Sequence, residues 1–585
     1  MVSAGALYAQ TPKMTLMTSG EIPEDIFNPR IGWKFCVDAA EADRADCWVD
    51  WNNNGTKDAD EAITAFGDQN FTEHEIGSKV IALYGSITLL RAENDALIEL
   101  TVKENPALEV LFVDFNKLTT LDLTANTAIY NLSFRENPIT AIDLTKLTGL
   151  KRLGAASTQI TVLDISQNTL LENVDFSYLS LDDPNLDLSH CKNLKTAGLL
   201  NMSLKSLNVK GCTNLIELTA PHNTLSTIDL SDCPRLQYLD LTISNLKTID
   251  LSNLPELLDV KLQTCGLSQL DLSGNPKLKR LDVFTNAIET LDLSHTPNLE
   301  VLTVGANQLS TLDLSKLPKL QYLHVSANVN LTKLDLKANP NLQSVEAADC
   351  ALQEIDLSTL SQLQELNLKG NQLAWVDLSN NTALTYATVE DNQLTDLKVG
   401  ALPKIQGLFV QQNKLHGVDI TGCVALKELG VFSNQFYSEE TEKLIQALPI
   451  PAKGNGDLYM VDSTNPDEAN GCSADQVKAI EAKNWKAWDW KNYENSGMNP
   501  FSGNTLAVQK IAAPAYTLYP NPAQDYLQVS GAQANARVRF VAPNGSLLLQ
   551  ERTDAHGSLR LDVSTFAPGH YLLVVNGLAQ TVIIR

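Results

Sequence analysis

The segment Asp50-Trp-Asn-Asn-Asn-Gly-Thr-Lys-Asp-Ala-Asp-Glu61 fits the twelve-residue ion-binding pattern D-x-[DN]-x-[DN]-G-x5-E. That spacing offers a hard divalent cation only oxygen: Asp50, Asn52, Asn54, the Thr56 carbonyl, Asp58 directly or through water, and Glu61. Gly55 allows the sharp turn at the loop's middle. The cofactor implied is calcium, and three carboxylates in the set imply modest affinity, suited to a calcium-rich extracellular medium. The preceding Cys47-Trp-Val-Asp-Trp51 reads as a strand, so the loop is not flanked by helices. The same residues also read as an Asn/Gly-rich hairpin that needs no metal.

Cysteine chemistry is the second possibility. Nine cysteines are an odd set, so at least one has no partner within the chain. Cys36 and Cys47 flank a polar loop between alternating segments, which predicts a disulfide in an exported protein. Cys191, Cys212 and Cys233 recur every 21 residues, Cys423 shares their register, and Cys265 and Cys350 occupy a second register. Side chains stacked in parallel suit the roughly 90° torsion of a disulfide poorly, so these are expected as buried thiols standing in for Asn. Catalytic signatures are absent: there is no HExxH, GxSxG or GxxxxGK[ST], and the eight histidines are scattered. The expectation is a non-enzyme; a hydrolase in the N-terminal region would have to centre on Asp50 to Glu61.

What positions these groups is a 21-residue repeat, LxxLxVxxNxLxxLDLSxNPx, running through sixteen coils from Ile87 to Ile405 with a truncated one from Leu426. One coil cannot bury its own Leu and Val stripe, whereas stacked coils merge theirs into a continuous core and pair their strand segments. The fold class is therefore mainly β, a leucine-rich-repeat solenoid. At about 4.8 Å per coil it makes a rod roughly 80 Å long. Register breaks around Asp182 to Asn185 and beside Asn330 are expected as bulges. The repeat Asn (Asn286, Asn307, Asn371, Asn392, Asn413) should turn inward to satisfy backbone groups at the bend. The Asp of LDLS, from Asp122 to Asp419, forms an acidic column that either binds cations or accepts turn N–H groups.

Residues alternating with the buried Leu and Val face outward from the strands: Phe112, Tyr238, Phe284, Tyr322, Tyr386, Phe409 and Phe432, among Asp240, Asp259, Asp282, Glu346, Glu365, Glu390 and Asp391. They read either as anchors for a basic or glycan-bearing partner or as cross-coil packing. With 44 Lys and Arg against 69 Asp and Glu the chain carries −25, which disfavours nucleic acid. No apolar run is long enough for a membrane-spanning helix.

The ends depart from the repeat. Residues 1–21 read as a leader remnant and 22–86 as a small β cap holding the calcium-type loop. After the solenoid at 87–437, residues 438–494 read as an α/β cap with helices at Ser438 to Leu448 and Ser473 to Lys483. There Trp485, Trp488 and Trp490 either plug the last coil or stack on sugars. Residues 495–513 form a linker, and 514–585 show short alternating strands that predict an Ig-like β-sandwich.

That last segment resembles the C-terminal sorting domain of type IX secretion cargo in Bacteroidetes, through Tyr516-Thr-Leu-Tyr-Pro-Asn-Pro-Ala523, the Asn544-Gly545 turn, Leu561 to Tyr571 and the closing Thr581 to Arg585. The resemblance implies passage across the outer membrane, cleavage of the domain and attachment to surface lipopolysaccharide. The coils resemble the 21-residue repeats of internalins, especially the internalin J class, in which cysteine also replaces the repeat Asn. It implies a surface adhesin holding a host or bacterial protein or glycan on the concave face. Tyr238, Asp240, Asp282, Phe284, Tyr322, Tyr386 and Phe409 are the candidate contacts. A passive surface-layer component is the alternative. No cell-wall sorting motif of the Gram-positive members is present.

Overall fold

The computed structural model describes residues 11–21, 32–451, 455–490, 499–503, 516–542, 547–575 and 578–585. The Asn544-Gly545 turn and most of the 495–513 segment lie outside them. Seven strands build the N-terminal end: β1 (Lys13–Thr18), β2 (Gly32–Ala39), β3 (Trp48–Asp50), β4 (Thr72–Glu75), β5 (Val80–Tyr84), β6 (Ile87–Arg91) and β7 (Leu97–Thr101). One sheet has the order β3-β5-β1-β7. In the other, β2 pairs antiparallel with β4 and with β6, the first strand of the solenoid. Both exposed edges of the first coil are thus covered, which removes a template for edge-to-edge association.

This end corrects two expectations. The leader does not extend to residue 21: β1 alternates inward Met14, Leu16 and Thr18 with outward Lys13, Thr15 and Met17, and is a core strand of the cap. Cys36 and Cys47 are not bonded to each other. Cys36 lies on β2 near Gln69, Asp68 and Arg91, whereas Cys47 sits against the Asp43 carbonyl and packs so closely under Gly85 that a Cβ there would be 2.6 Å from its sulfur. Burial pushes both thiols up, Cys47 to about 11.

From β6 onward every coil contributes a three-residue strand to one parallel sheet, Val110–Phe112, Asn131–Ser133, Arg152–Gly154 and so on to Glu428–Gly430. The middle residue of each triplet points into the core and its neighbours point out, the period-two rule of a strand applied once per coil. Where the sequence inserts residues, the sheet registers stay intact and the extra residues bulge elsewhere: Asn173 pairs with Thr196, and Tyr322 with Ser344.

Two inward ladders close the bends, and they do different work. Asn307 Nδ2 donates to the carbonyls of Val283, Val304 and Gly305 at 3.0–3.1 Å while its Oδ1 accepts the Ile288 N–H at 3.0 Å. Asn286, Asn371, Asn392 and Asn413 repeat that pattern. In the second ladder, Asn275 Nδ2 donates to the Leu251 and Leu254 carbonyls, but its buried Oδ1 has no partner among the described residues, and the same holds for Asn126, Asn168, Asn339 and Asn381. Only a donor is needed there, which a thiol supplies. Cys212 Sγ accordingly donates toward the Leu188 and Cys191 carbonyls at 3.4 and 3.6 Å. Burial pushes Cys191, Cys212 and Cys233 up to about 12, 11 and 12.

The LDLS aspartates serve turns. Asp122 Oδ1 accepts both the hydroxyl and the N–H of Thr124, which hold its carboxyl below the usual range, and Asp229, Asp250, Asp292 and Asp313 each accept the N–H two residues on. After the last coil the strands Gly456–Val461 and Trp485–Asp489 extend the same parallel sheet. Helices α1 (Ser438–Ala447) and α2 (Ala474–Glu481) form the crossovers, and α2 opens with a reciprocal Ser473–Gln476 capping box. Trp485 is buried and donates to the Pro449 carbonyl, and Trp490 stacks on Phe432 at 5.1 Å, so these indoles seal the end of the core. The C-terminal region packs a three-stranded sheet (Thr517–Tyr519, Tyr526–Ser530, Leu559–Asp562) on a four-stranded one around Phe540. No helix among the described residues is long and apolar enough to cross a membrane.

Candidate functional site

The parallel sheet presents two outward columns, one from each end of the strand triplets. The first runs Glu217, Tyr238, Asp259, Arg280, Val301, Tyr322 and Ser344, and two residues on runs Thr219, Asp240, Lys261, Asp282, Thr303, His324 and Glu346. Because the strands are in register, residues 21 apart in sequence become neighbours along the rod.

The structure treats the expected aromatics unequally. Tyr238 stands 44% exposed, above a small depression shared with Glu217, Asp240, Asp259 and Lys261. Phe284 is half-buried and packs on His324 at 5.2 Å between centroids, in space that Gly305 leaves open: a Cβ there would lie 3.0 Å from the Phe284 ring and 3.1 Å from the imidazole. Tyr322 lies half-buried in the same cluster, its phenol pushed up by burial and then by the Glu346 and Asp282 charges. Burial lowers the His324 pKa against the opposing pull of the same two carboxylates. Asp282 is fixed by the Phe284 N–H and by the Gln263 amide, and Asp240 by the Thr242 N–H.

Farther along, packing takes over. Tyr386, although 42% exposed, leans over Gly407, where a Cβ would lie 2.6 Å from its ring, and Phe409 leans over Gly430. Phe432 is buried beneath Trp490 and does not face a partner at all. Phe112 is half-buried under the Arg91 guanidinium, 4.6 Å from the ring centroid. The outward stretch that keeps aromatic surface and carboxylates together is therefore Tyr238 to Glu346.

Toward the N-terminal end the same face opens into a groove of about 420 Å³ floored by Ser133, Gly154 and Gly198. Asp114 lies buried there, accepting the Ser133 hydroxyl at 2.6 Å and the Arg135 N–H at 2.7 Å, and burial pushes its carboxyl up. What the columns offer is complementary surface. Two residues escaped the sequence reading, His324 and Trp375. His324 was discounted as one of several scattered histidines, although its position two residues after Tyr322 places it on the face.

The calcium-type loop is closed on itself. Asp50 is fully buried, with its two oxygens accepting the Asn54 and Gly55 N–H groups at 2.9 and 2.8 Å. Glu61, also buried, accepts the Trp51 and Asp58 N–H groups at 2.9 and 2.8 Å. Asn52 and Asn54 turn their Nδ2 groups toward Asp58, while their Oδ1 atoms accept the Asn54 and Thr56 N–H groups. Gly55 adopts φ +77°, as the turn requires. Among the described residues no three His, Cys, Asp or Glu side chains form a ready metal cluster.

Residues 517–585 match the family of secretion system C-terminal sorting domains. The fold is similar to the functional domain of InlJ from Listeria monocytogenes, which includes a cysteine ladder, with TM-score 0.53 and 17% identity over 86% of this chain and 93% of that one. It is also similar to the leucine-rich-repeat protein LIC12759 of Leptospira interrogans, with TM-score 0.50 and 20% identity over 66% of this chain and 97% of that one. At such identities the likeness shows the fold alone. The sequence matches no curated protein. The chain is thus an internalin-like leucine-rich-repeat solenoid that carries a type IX secretion sorting domain at residues 517–585.

Proposed function

We propose that this protein is displayed on the outer-membrane surface of a Gram-negative bacterium and acts as an adhesin, not an enzyme. In this reading type IX export is followed by cleavage within 495–513 and attachment to lipopolysaccharide. The partner, a host or bacterial surface protein or glycan, docks on the sheet face. One observation carries the reading: Tyr238, Phe284 and Tyr322 keep accessible ring surface among Asp240, Asp259, Asp282 and Glu346. Aromatic anchors within one sign of charge favour a basic partner, whose association slows as salt rises. Immobilised protein incubated with solubilised surface proteins and glycans of host cells and bacteria should retain a specific component and release it between low and high salt. Recovery of nothing specific from either source would count against the adhesin.

The aromatics laid over Gly407 and Gly430 favour a second reading for that end of the face, in which it is a packed wall of a passive surface component. For the N-terminal loop we propose calcium held by Asp50, Asn52, Asn54, Thr56, Asp58 and Glu61. The donor set is all oxygen, and the exposed Asn52 and Asn54 amides, whose Nδ2 groups point at Asp58, would turn their oxygens toward the ion. Calcium at a hundredfold excess over its Kd then raises the opening free energy of the cap by about 2.7 kcal/mol. Limited proteolysis and titration calorimetry with calcium chloride should show that protection, and Asp50→Asn or Glu61→Gln should remove it. Equal cleavage rates with and without calcium would dismiss the metal.

A further inference from the structure

Trp375 lies away from the sheet face, on the LDLS side of the coils, where Trp375–Asp377 pairs with Asp396–Lys398. The equivalent positions of most other coils are polar, among them Thr120, Thr248, Thr290, Thr311, Lys333 and Glu354, with only the smaller Ala141, Val162 and Gly417 departing from that, and no other coil places an aromatic there. The indole is 57% exposed and makes no hydrogen bond, ring contact or cation contact with any described residue. Packing therefore does not account for it, unlike Trp485 and Trp490, which seal the core. Beside it runs a groove of about 550 Å³ whose lining includes Leu334 and Ile355, with Asp356, Lys337 and Asn380 on its polar side. Ion pairs fix that polar lining, Lys333 to Glu354 at 3.3 Å and Lys337 to Asp356 at 3.5 Å.

We propose that this groove is a second binding site, for a neutral oligosaccharide. A sugar ring presents an apolar C–H face, which matches one aromatic plane, and a rim of hydroxyls that both donate and accept, which matches carboxylate, ammonium and amide groups together. A purely apolar ligand would strand those charges. An anionic one would meet Asp335, Asp356 and Asp377, more carboxylates than the two lysines offset. The volume falls within the range of small-molecule sites and holds a short saccharide rather than a folded domain. The site stands independently of the sheet-face reading, since none of its residues lies on the outward sheet columns, and together the two would let one rod bridge a glycan and a second partner.

The test is a printed array of neutral and anionic oligosaccharides probed with the full chain, as wild type, Trp375→Ala, Trp375→Phe and Val424→Ala. Wild type should bind at least one neutral glycan. Trp375→Ala should weaken that binding tenfold or more, Trp375→Phe should recover most of it, and Val424→Ala, at an exposed residue of neither site, should leave it unchanged. Matching thermal melts would show that the loss is not unfolding. Binding by Trp375→Ala at the wild-type level, binding of anionic glycans alone, or no glycan bound by the wild type would each overturn the proposal. Failure here with intact cell binding would leave the sheet-face reading standing, and the reverse result would separate them equally.

Discussion

A chain lacking residues 514–585 accumulates inside the cell envelope instead of reaching the surface, while its solenoid still folds. The physical basis is that the C-terminal domain has its own core, built around Leu527, Val538, Phe540, Leu573 and Val582, and among the described residues shares no buried residue with the rod. Deleting it removes an export signal without opening a cavity in the coils. Labelling of intact cells should fall more than tenfold, with the protein recovered in the periplasmic fraction at unchanged thermal stability. Phe540→Asp, which puts an unpaired charge into that core, should reproduce the effect at full length. Normal display of the truncated chain would refute the sorting role.

Asn307→Ala destabilises its stretch of the rod by about 2–4 kcal/mol, whereas Asn275→Cys costs less than about 1 kcal/mol. Asn307 satisfies three carbonyls and the Ile288 N–H, all buried, so truncation leaves several groups unpaired at once. Asn275 acts only as a donor, its Oδ1 being already without a partner, and the thiols of Cys191, Cys212 and Cys233 show that a weaker donor suffices at that register. In a stacked array the loss is local, so hydrogen exchange around coils 283–309 reports it better than a single melting point. Equal protection in the two variants would contradict the distinction between the ladders.

The rod was legible in the sequence because every coil solves the same problem: Leu and Val must meet those of the next coil, and the bend leaves the same backbone groups to be satisfied by Asn. The helix opening at Ser473 and the C-terminal sandwich were legible for similarly local reasons. What depended on neighbouring coils was not. Tyr386, Phe409 and Phe432 all read as outward residues of their coils, but Gly407 and Gly430 let two of them lie down and Trp490 covers the third. The strand at Lys13–Thr18 was lost because a short alternating segment beside a leader-like start carries no signal of the partner strands that bury it. Cys36 and Cys47 flank one loop in sequence, yet β2 and the turn before β3 carry them into different surroundings.

The most direct test of the adhesin compares full-length protein with its Tyr238→Ala/Phe284→Ala/Tyr322→Ala variant for binding to intact host cells and to bacteria. All three rings are at least partly exposed, so the variant keeps the aliphatic core and should fold. Saturable binding by the wild type, reduced tenfold or more in the variant and weakened by salt, is the predicted result. Equal binding by both, or none by either, would contradict it and leave a passive surface structure.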